Sequence, residues 1–253
     1  MKTIWITGGS TGIGFETAKK FIQENWRVVI SSRNISKLKD AKKQIINKHL
    51  NKEIYILECD ISKRDEVHRT VNEIENKIGK IDIALLNAAA YSPNKSQEFL
   101  IQNYELLIDV NLKGTLYCIE ILTKKMIERK NGHIAIVSSP VGYRGLPTAG
   151  AYGLTKAGLT NLAESLYFDL KKNMIKISVI NPGFIKSEST NLNSFHMPFL
   201  KTADYAARKI YNGLTKKYRF EIYFPTFFLL LLKTFKILPY KLYFFLISKL
   251  TRL

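Results

Sequence analysis

The amino-acid sequence predicts an α/β protein in which a doubly wound parallel sheet of about seven strands carries helices on both faces. Three observations support this class. Short β-branched runs alternate with amphipathic stretches, the first run leads directly into a glycine-rich loop, and the 253 residues, 46% of them hydrophobic, can supply the core of one such domain. Neither a Gly/Ser-rich or Pro-rich linker nor an internal repeat interrupts the alternation.

The elements can be assigned in order along the chain. Residues 3–6 are predicted to form the first strand, and residues 13–25, with apolar side chains at helical spacing, the first helix. The later strands are predicted at residues 28–31, 54–57, 83–87, 134–138, 177–181 and 219–224. Ligands of such sheets bind beyond the carboxyl ends of the strands. Five residues fall at these ends, namely Gly8, Asp60, Asn87, Ser139 and Pro182.

The loop after the first strand reads Thr7-Gly8-Gly9-Ser10-Thr11-Gly12-Ile13-Gly14. A glycine turn between a strand and a helix lets the backbone approach a pyrophosphate, and the N-terminus of the helix favours the negative charge. The alternative is a tight turn without a ligand. Because position, order and flanking elements all agree, the phosphate loop is the preferred interpretation.

A second motif places Tyr152 and Lys156 one helical turn apart, after Ser139 and further downstream of Asn111. Such a set can move a proton to or from a carbonyl oxygen. The Tyr-Lys spacing alone is weak, because it recurs elsewhere in this chain, as at Tyr91 with Lys95 and Tyr167 with Lys171. Only this pair follows a strand that ends in paired serines and a loop that contains glycine and proline.

Together these residues resemble the short-chain dehydrogenase/reductase family, over residues 3 to about 224. The family's glycine loop matches residues 7–14, and its catalytic asparagine, serine, tyrosine and lysine map onto Asn111, Ser139, Tyr152 and Lys156. Its proline-glycine motif maps onto residues 181–183, with a serine at 187 where threonine is usual. One departure is the stretch at residues 86–89, Leu-Asn-Ala-Ala, where the family often shows Asn-Asn-Ala-Gly.

The resemblance implies a Rossmann-type fold, an oxidoreductase activity and a nicotinamide cofactor. It also implies a homo-oligomer, a dimer or a tetramer, that pairs through long helices, here residues 104–128 and 152–171. The cofactor contacts that it implies are Thr7, Gly8, Ser10, Thr11, Gly12, Ile13, Gly14, Asp60, Ile61, Asn87, Ala88, Tyr152, Lys156, Pro182, Gly183 and Ile185.

The end of the second strand predicts NADP(H) rather than NAD(H). An acidic residue at this place holds a ribose 2′-hydroxyl, whereas an arginine accommodates a 2′-phosphate. This chain has Ser32 and Arg33 there and no carboxylate nearby. The guanidinium can present a planar fork to the phosphate, and the serine a hydroxyl. A solvated surface arginine is the alternative.

The predicted reaction is the reduction of a carbonyl, or the oxidation of the matching alcohol. A free tyrosine has a pKa of about 10, and we expect the ammonium of Lys156 and the oxidised nicotinamide to lower that of Tyr152. Tyr152 then exchanges the proton and Ser139 orients the substrate oxygen. By resemblance, Asn111 anchors a water that relays protons to Lys156; the alternative is a helix asparagine bonded to the backbone.

The substrate is predicted to be small and hydrophobic or lipid-like. The segment 184–200 occupies the place of the family's substrate lid and is rich in apolar residues. Together with the loop after Ser139 it suggests an apolar pocket, although these side chains could equally pack the lid onto the domain. The predicted substrate contacts are Ser139, Tyr143, Leu146, Phe184, Phe195 and Met197.

The C-terminal segment, residues 225–253, is predicted to be a basic apolar extension of the domain at residues 1–224. Its apolar runs are shorter than the roughly 20 residues that span a bilayer, and two prolines punctuate them. Alternating cations and apolar residues suit an anionic membrane surface, which predicts a cytoplasmic protein peripheral to the inner face of a membrane. Packing in a subunit interface is the alternative. Truncation after Phe224 is expected to spare the catalytic residues.

Charge and composition exclude other classes. The net charge of +18 raises nucleic acid binding, but no recognition motif accompanies it and the lysines are spread along the chain. Two cysteines without motif spacing predict a reducing compartment, and four scattered histidines predict no metal site. A first strand that begins by residue 3 predicts no signal peptide. A non-catalytic cofactor-binding or scaffold protein of the same fold is the alternative function.

Overall fold

A computed structural model describes residues 1–47, 53–93, 99–193, 195 and 197–251, and shows a sheet of seven parallel strands. Each strand lies within two residues of its predicted position. The strands are β1 (Thr3–Thr7), β2 (Arg27–Ser32), β3 (Ile54–Glu58), β4 (Ile81–Leu86), β5 (Gly132–Val137), β6 (Ile175–Pro182) and β7 (Glu221–Phe224).

The helices that connect and follow these strands are α1 (Gly12–Gln23), α2 (Ile35–Ile46), α3 (Arg64–Glu73), α4 (Ile101–Leu107), α5 (Gly114–Glu128), α6 (Gly150–Lys172), α7 (Ala203–Thr215), α8 (Thr226–Thr234) and α9 (Tyr240–Thr251). Two π-helical turns occur where helices continue, after α3 at Ile74–Ile78 and between α4 and α5 at Ile108–Lys113.

The strand order is β3-β2-β1-β4-β5-β6-β7. It reverses direction between β1 and β4, so the crossovers leave that pair on opposite sides and open a crevice beyond their carboxyl ends. The doubly wound α/β fold predicted from the sequence is confirmed. Its switch point lies directly at the glycine-rich loop.

Each face of the sheet has its own apolar core, because alternate side chains of a strand point to opposite faces. Trp5 of β1 belongs to one core, with residues of α3, α5 and α6. Its neighbours Ile4 and Ile6 belong to the other, with residues of α1, α2 and α7. All five residues of β1 are buried, as expected of a central strand covered on both faces.

A buried ion pair fixes the end of the sheet opposite the crevice. The carboxylate of Glu75, in the π-helical turn after α3, accepts hydrogen bonds from Arg129 Nη1 at 2.8 and 2.9 Å and from the Ile81 backbone at 2.8 Å. Arg129 Nη2 also donates to the Ile81 carbonyl at 2.6 Å. The pair therefore joins the end of α3, the start of β4 and the residue after α5.

The two C-terminal helices, α8 and α9, pack against the α/β domain through part of their surface. Leu229 of α8 is fully buried, and Tyr243 and Ile247 of α9 are nearly so. Among the described residues, no helix combines the length and apolar character that a bilayer crossing requires.

Candidate active site

The glycine-rich loop forms a cradle of bare backbone beyond β1. Gly8 and Gly12 have positive φ angles of 64° and 56°, which favour glycine. A Cβ on Gly14 would lie 2.3 Å from the Gly8 carbonyl oxygen, so the start of α1 can approach the loop only without a side chain. The cradle fits the pyrophosphate of a dinucleotide, which its N–H groups and the helix N-terminus would hold.

Asn87 braces this cradle from the end of β4. Its Nδ2 donates to the Thr7 and Gly8 carbonyls at 3.0 and 3.2 Å, and the Thr7 hydroxyl accepts from the Asn87 and Ala88 backbone N–H groups, each at 3.0 Å. Leu86, one of the two departures from the family pattern, ends β4 and is buried. The bracing of the loop therefore depends on Asn87 and Thr7 and not on the substituted positions.

Arg33 and Asp60 line one open depression of about 520 Å³ beyond the carboxyl ends of β2 and β3. The Arg33 side chain is exposed to solvent. The Asp60 carboxylate already accepts hydrogen bonds at its Oδ1, from the backbone N–H of Ser62 at 3.0 Å and from the Ser62 hydroxyl at 2.8 Å. Glu58 and Glu66 also line the depression, so the site for an adenosine end has both signs of charge.

Ser139, Tyr152 and Lys156 meet beyond the carboxyl end of β5. The Tyr152 hydroxyl shares a hydrogen bond with the Ser139 side chain. The Lys156 Nζ lies 5.4 Å from the centre of the Tyr152 ring and donates to the Val137 carbonyl at 2.8 Å. Ser138 is committed elsewhere, because its hydroxyl donates to the Lys156 carbonyl at 2.9 Å. The geometry therefore places Ser139, and not its neighbour, beside the tyrosine.

The protonation of this pair differs from the sequence-based expectation. Burial raises the pKa of Tyr152, Tyr91 adds to that rise, and the hydrogen bond from Ser139 opposes it. Burial also lowers the pKa of Lys156 to about 8. The expected lowering of the Tyr152 pKa is absent here because desolvation dominates and the ammonium is directed at the Val137 carbonyl. The tyrosine is thus a neutral phenol, the form that donates a proton.

Asn111 lies in the π-helical turn between α4 and α5 and is fully buried. Its Oδ1 accepts from the Ala90 backbone at 2.7 Å, and its Nδ2 donates to the Ala90 carbonyl at 3.0 Å and to Thr155 Oγ1 at 3.2 Å. The side chain therefore ties the segment after β4 to the catalytic helix α6. Its own backbone carbonyl accepts from the Thr115 hydroxyl at 2.7 Å.

The segment after β6 returns towards the glycine-rich loop. The Gly183 N–H donates to the Phe224 carbonyl at 2.8 Å, and Ile185 is buried. A Cβ on Gly12 would lie 3.6 Å from the Ser187 Cβ. The segment that follows Pro182, the last residue of β6, thus passes the glycine-rich loop, where the resemblance places cofactor contacts.

The predicted substrate residues fall into two groups. Phe184, Phe195 and Met197 are together in the segment after β6: the two rings are 5.8 Å apart, and Met197 Sδ accepts from Asn193 at 3.3 Å. Leu146 lies half-buried in the catalytic loop, residues 140–149 between Ser139 and Tyr152. The apolar side chains thus lie in two segments, the one after β6 and the catalytic loop, and Tyr91 links the first of these to Tyr152 through Asn193.

Tyr143, in the same loop, is engaged differently. Its hydroxyl donates to the Glu221 carboxylate, which also accepts from Asn181 Nδ2 at 2.8 Å and from the Lys233 ammonium. Burial and the bond to Glu221 raise the Tyr143 pKa well above its usual range. Its hydroxyl is therefore a partner of Glu221, and the Lys233 ammonium lies 5.5 Å from the centre of its ring.

Sequence reasoning missed Tyr91. Its ring packs edge-on against Tyr152, with centroids 4.9 Å apart, and its hydroxyl donates to Asn193 Oδ1 at 2.6 Å. It therefore joins the catalytic tyrosine to the segment after β6. Its position five residues after β4 was the available signal, because residues at this edge of the sheet face the crevice.

No cluster of three or more His, Cys, Asp or Glu side chains suited to a metal occurs in the part of the chain that the structure describes. Both cysteines there are free and buried.

A pyrophosphate cradle at the switch point, next to a phenol that shares a hydrogen bond with a serine, defines a nicotinamide-dependent oxidoreductase. The comparisons agree. Residues 2–221 match the family described as short chain dehydrogenase, and the chain belongs to that family.

Similar proteins cover the chain to different extents. "Carbonyl reductase family member 4" of Xenopus laevis is 33% identical over 75% of this chain and 78% of its own. An "uncharacterized oxidoreductase" of Myxococcus xanthus is 29% identical over 96% of this chain and 94% of its own, and so shares at least part of the C-terminal helices. The solved structure "ElxO with NADP bound" has a TM-score of 0.80 at 26% identity, and covers 88% of this chain and 97% of that one.

Proposed function

We propose that the protein is an NADPH-dependent reductase of a small hydrophobic carbonyl compound, or acts in reverse on the matching alcohol. The observation that carries this proposal is the hydrogen bond between the Tyr152 hydroxyl and the Ser139 side chain, with the Lys156 ammonium 5.4 Å from the centre of the tyrosine ring. Bound NADPH would supply the hydride to the carbonyl carbon. Tyr152 gives its proton to the carbonyl oxygen, Ser139 holds that oxygen, and Lys156 supplies positive charge beside the phenol.

The nucleotide roles rest on the cradle and its neighbours. Residues 7–14 would hold the pyrophosphate, with Asn87 keeping the loop in shape. Asp60, Ile61 and Ala88 would border the adenosine half, and Pro182, Gly183 and Ile185 the nicotinamide half. Asn111 positions α6 through Thr155, which supports a positioning role; among the described contacts its side chain makes no hydrogen bond to Lys156.

Preference for NADPH is proposed from Arg33 and Ser32. The arginine is exposed at the mouth of the depression that Asp60 also lines, where its guanidinium can meet a 2′-phosphate. A solved structure similar to this chain holds NADP. Lys63 and Arg69 also line this depression, together with Glu58 and Glu66, so the Arg33→Ala variant is needed to assign the preference to Arg33.

A hydrophobic or lipid-like substrate is proposed because aromatic and aliphatic side chains are concentrated in the segment after β6 and in the catalytic loop, the two segments that the family resemblance places around the substrate. Phe184, Phe195, Met197 and Leu146 supply this surface. Relatives in this family include a carbonyl reductase and a 3-oxoacyl-[acyl-carrier-protein] reductase of Staphylococcus epidermidis, which is 30% identical over 75% of this chain and 78% of its own. Both names describe reduction of a carbonyl in those proteins, which supports the same reaction class here.

The deciding experiment is a panel of ketones and aldehydes with the purified protein, following NADPH loss and then NADH loss. Turnover that rises with acyl chain length and is faster with NADPH supports the proposal. Binding of NADPH without turnover of any carbonyl or alcohol would instead favour the non-catalytic scaffold. The Tyr152→Phe variant is the control for both outcomes, because it should bind NADPH but lose turnover.

A homo-oligomer is proposed from the surface of α5 and α6. Both helices expose large apolar side chains, namely Leu116, Ile127, Leu154 and Phe168, of which Phe168 is 68% exposed. Pairing of these helices would cover the side chains. This agrees with the pairing surface that the family resemblance implies.

We also propose that the C-terminal segment rests on the inner face of a membrane without crossing it. Helices α8 and α9 leave many apolar side chains uncovered, and lysines lie among them. Such a surface suits the boundary between acyl chains and anionic headgroups. Sedimentation with anionic vesicles, which salt should weaken only in part, tests it.

A further inference from the structure

The catalytic loop is held by the C-terminal helix pair, α8 and α9, chiefly through Arg144. Its Nη1 donates to the carbonyls of Phe235 and Leu238, the latter at 2.7 Å. Its Cζ lies 3.9 Å from the ring centre of Tyr243 and 4.9 Å from that of Tyr240. Among the described residues Arg144 forms no ion pair. The guanidinium charge of Arg144 therefore interacts with the two carbonyls that follow α8 and with the two tyrosine rings of α9.

The residues on either side of Arg144 are held by the same helices. The Gly145 carbonyl accepts from the Tyr243 hydroxyl, and the Tyr243 side chain is nearly fully buried. Tyr143 donates to Glu221, whose other oxygen accepts from Lys233 of α8. Arg144 and Gly145 thus bond directly to the helix pair, and Tyr143 is linked to it through Glu221 of β7. A truncation after Phe224 would remove the partners of Arg144 and Gly145 but keep Glu221, so we expect it to loosen the catalytic loop. That it spares the catalytic residues themselves stays a prediction.

Helix α8 also borders the other side of the substrate region. The Phe228 ring lies 6.1 Å from Phe184 and 5.4 Å from Phe199, both in the segment after β6. A Cβ on Gly183 would meet Leu229 Cδ1 at 3.3 Å. The helix pair is therefore in contact with both segments that flank Tyr152.

The outer surface of the pair remains uncovered and basic. Its most exposed apolar side chains are Phe227, Ile237, Tyr240, Phe244, Phe245 and Leu250. The lysines at positions 236, 241 and 249 are exposed among them, and the described part of the pair contains no acidic residue. A surface that combines exposed aromatic and aliphatic side chains with unopposed cations complements an anionic bilayer, whose headgroups supply negative charge and whose acyl chains accept apolar groups.

We propose that Arg144 couples the C-terminal helix pair to the catalytic loop, so that docking of the pair on an anionic bilayer fixes the substrate side of the site and the enzyme takes an amphiphilic carbonyl substrate from that bilayer. This rests on the proposed carbonyl reductase function. Arg144 is a positioning residue, since it acts through the loop that joins Ser139 to Tyr152.

Docking is tested by sedimentation of the full-length protein with phosphatidylglycerol vesicles. Lys236→Glu/Lys241→Glu should lose at least about tenfold in vesicle partition, because each cation near an anionic surface contributes roughly 1 kcal/mol. Lys39→Glu/Lys43→Glu changes the net charge equally on the distant helix α2 and should bind nearly as the parent does. Equal loss in both variants, or no binding by the parent, would overturn the proposal while leaving the reductase function untouched.

Coupling is tested by kinetics with two substrates, a long-chain methyl ketone dissolved in the vesicles and the water-soluble ketone cyclohexanone. Arg144→Met should bind vesicles and NADPH normally but raise the KM for the vesicle-borne ketone roughly three- to thirtyfold. Its kcat/KM for cyclohexanone, a substrate that does not depend on docking, should fall several-fold less than that for the vesicle-borne ketone. Tyr243→Phe keeps the ring and loses the bond to Gly145, so it should shift the same KM in the same direction. An equal loss on both ketones would assign Arg144 a structural role only.

Hydrogen exchange separates failure of the coupling from failure of the proposed function, because it needs no turnover. Phosphatidylglycerol vesicles should slow exchange in residues 142–149 of the parent by roughly tenfold and leave those amides unchanged in Arg144→Met. Unchanged exchange in the parent at saturating vesicles would overturn the coupling, even if the carbonyl panel gives turnover. If the panel gives none but exchange slows, the coupling stands and the reductase proposal fails.

Discussion

At the residue scale, Tyr152 is subject to opposing effects on its pKa. Burial and the Tyr91 ring raise the pKa, and the Ser139 hydrogen bond lowers it. The first effects dominate, so the side chain holds its proton at neutral pH. A neutral phenol is ready to donate to a carbonyl oxygen, whereas oxidation of an alcohol requires that it first lose the proton.

Tyr152→Phe is expected to bind NADPH as the parent does and to lose turnover by on the order of a hundred- to ten-thousandfold, because the proton donor is removed and the ring packing against Tyr91 is kept. Fluorescence titration of NADPH and steady-state rates check the two halves. Near-normal turnover would remove Tyr152 from the mechanism.

Lys156 gives a pH prediction. Burial lowers its pKa to about 8, so the ammonium is present below that pH and is lost as the pH rises through it. The kcat/KM for reduction, which reports groups of the free enzyme, should therefore decline above about pH 8. Lys156→Met should bind NADPH more weakly and lose this pH dependence. A parent profile that stays flat to pH 10 would show that the ammonium has no part in the step.

Arg33→Ala is expected to weaken NADPH binding about ten- to a hundredfold, the loss of a charge-assisted contact of roughly 1.5–3 kcal/mol, and to leave NADH binding almost unchanged. Dissociation constants for both cofactors measure this. Arg208→Ala, an exposed arginine of α7 paired with Asp204, is the matched control. Equal weakening of both cofactors would assign Arg33 to the fold.

At the scale of single elements, the strands were the most predictable part. A parallel strand covered on both faces reads as a continuous β-branched run, and Ile134 to Ile136 in β5 are fully buried as such a run should be. The strand ends moved by one or two residues because β-propensity does not determine where pairing stops. Motif spacing also led to Ser139 rather than Ser138, which the hydrogen bonds confirm as the serine beside Tyr152.

What the sequence could not show depends on contacts between distant segments. Tyr143 was predicted from its loop position, but the partner of its hydroxyl, Glu221, is 78 residues away. The apolar runs after Phe224 predicted an interfacial segment, yet periodicity does not tell which residues face the domain, so the burial of Leu229 and Tyr243 was not foreseen. The rise of the Tyr152 pKa in the protein without cofactor was not foreseen, because desolvation is a property of the packed site.

The junction of α3, α5 and β4 gives a stability prediction. Arg129→Met leaves the nearly buried Glu75 carboxylate without its main partner and should lower the free energy of unfolding by about 3–5 kcal/mol. Arg208→Met removes an exposed pair and should cost less than about 1 kcal/mol. Urea unfolding compares the two. Equal small losses would mean that water or Lys80 satisfies the carboxylate.

At the scale of the whole molecule, the assembled protein is expected to be a homo-oligomer. Phe168 and Leu116 lie exposed on the helices that the resemblance pairs, and their burial would stabilise a dimer or tetramer. Light scattering of the active protein measures the mass. Phe168→Glu should shift it towards the monomer, whereas Phe244→Glu on α9 should not. A fully active monodisperse monomer would contradict the prediction.

The contacts of Arg144 and Glu221 also constrain how this chain can be recombined with its relatives. The C-terminal helices look like an appended segment when read along the sequence, but they bond to Arg144 and Gly145 in the middle of the chain and to Glu221 shortly before the helices begin. A chimera that joins residues 225–253 to a shorter relative would lack the residues that bond to these helices here, Arg144, Gly145 and Glu221. Only a graft that carries both parts together would transfer the behaviour of the tail, so the two have to be inherited, or engineered, as one unit.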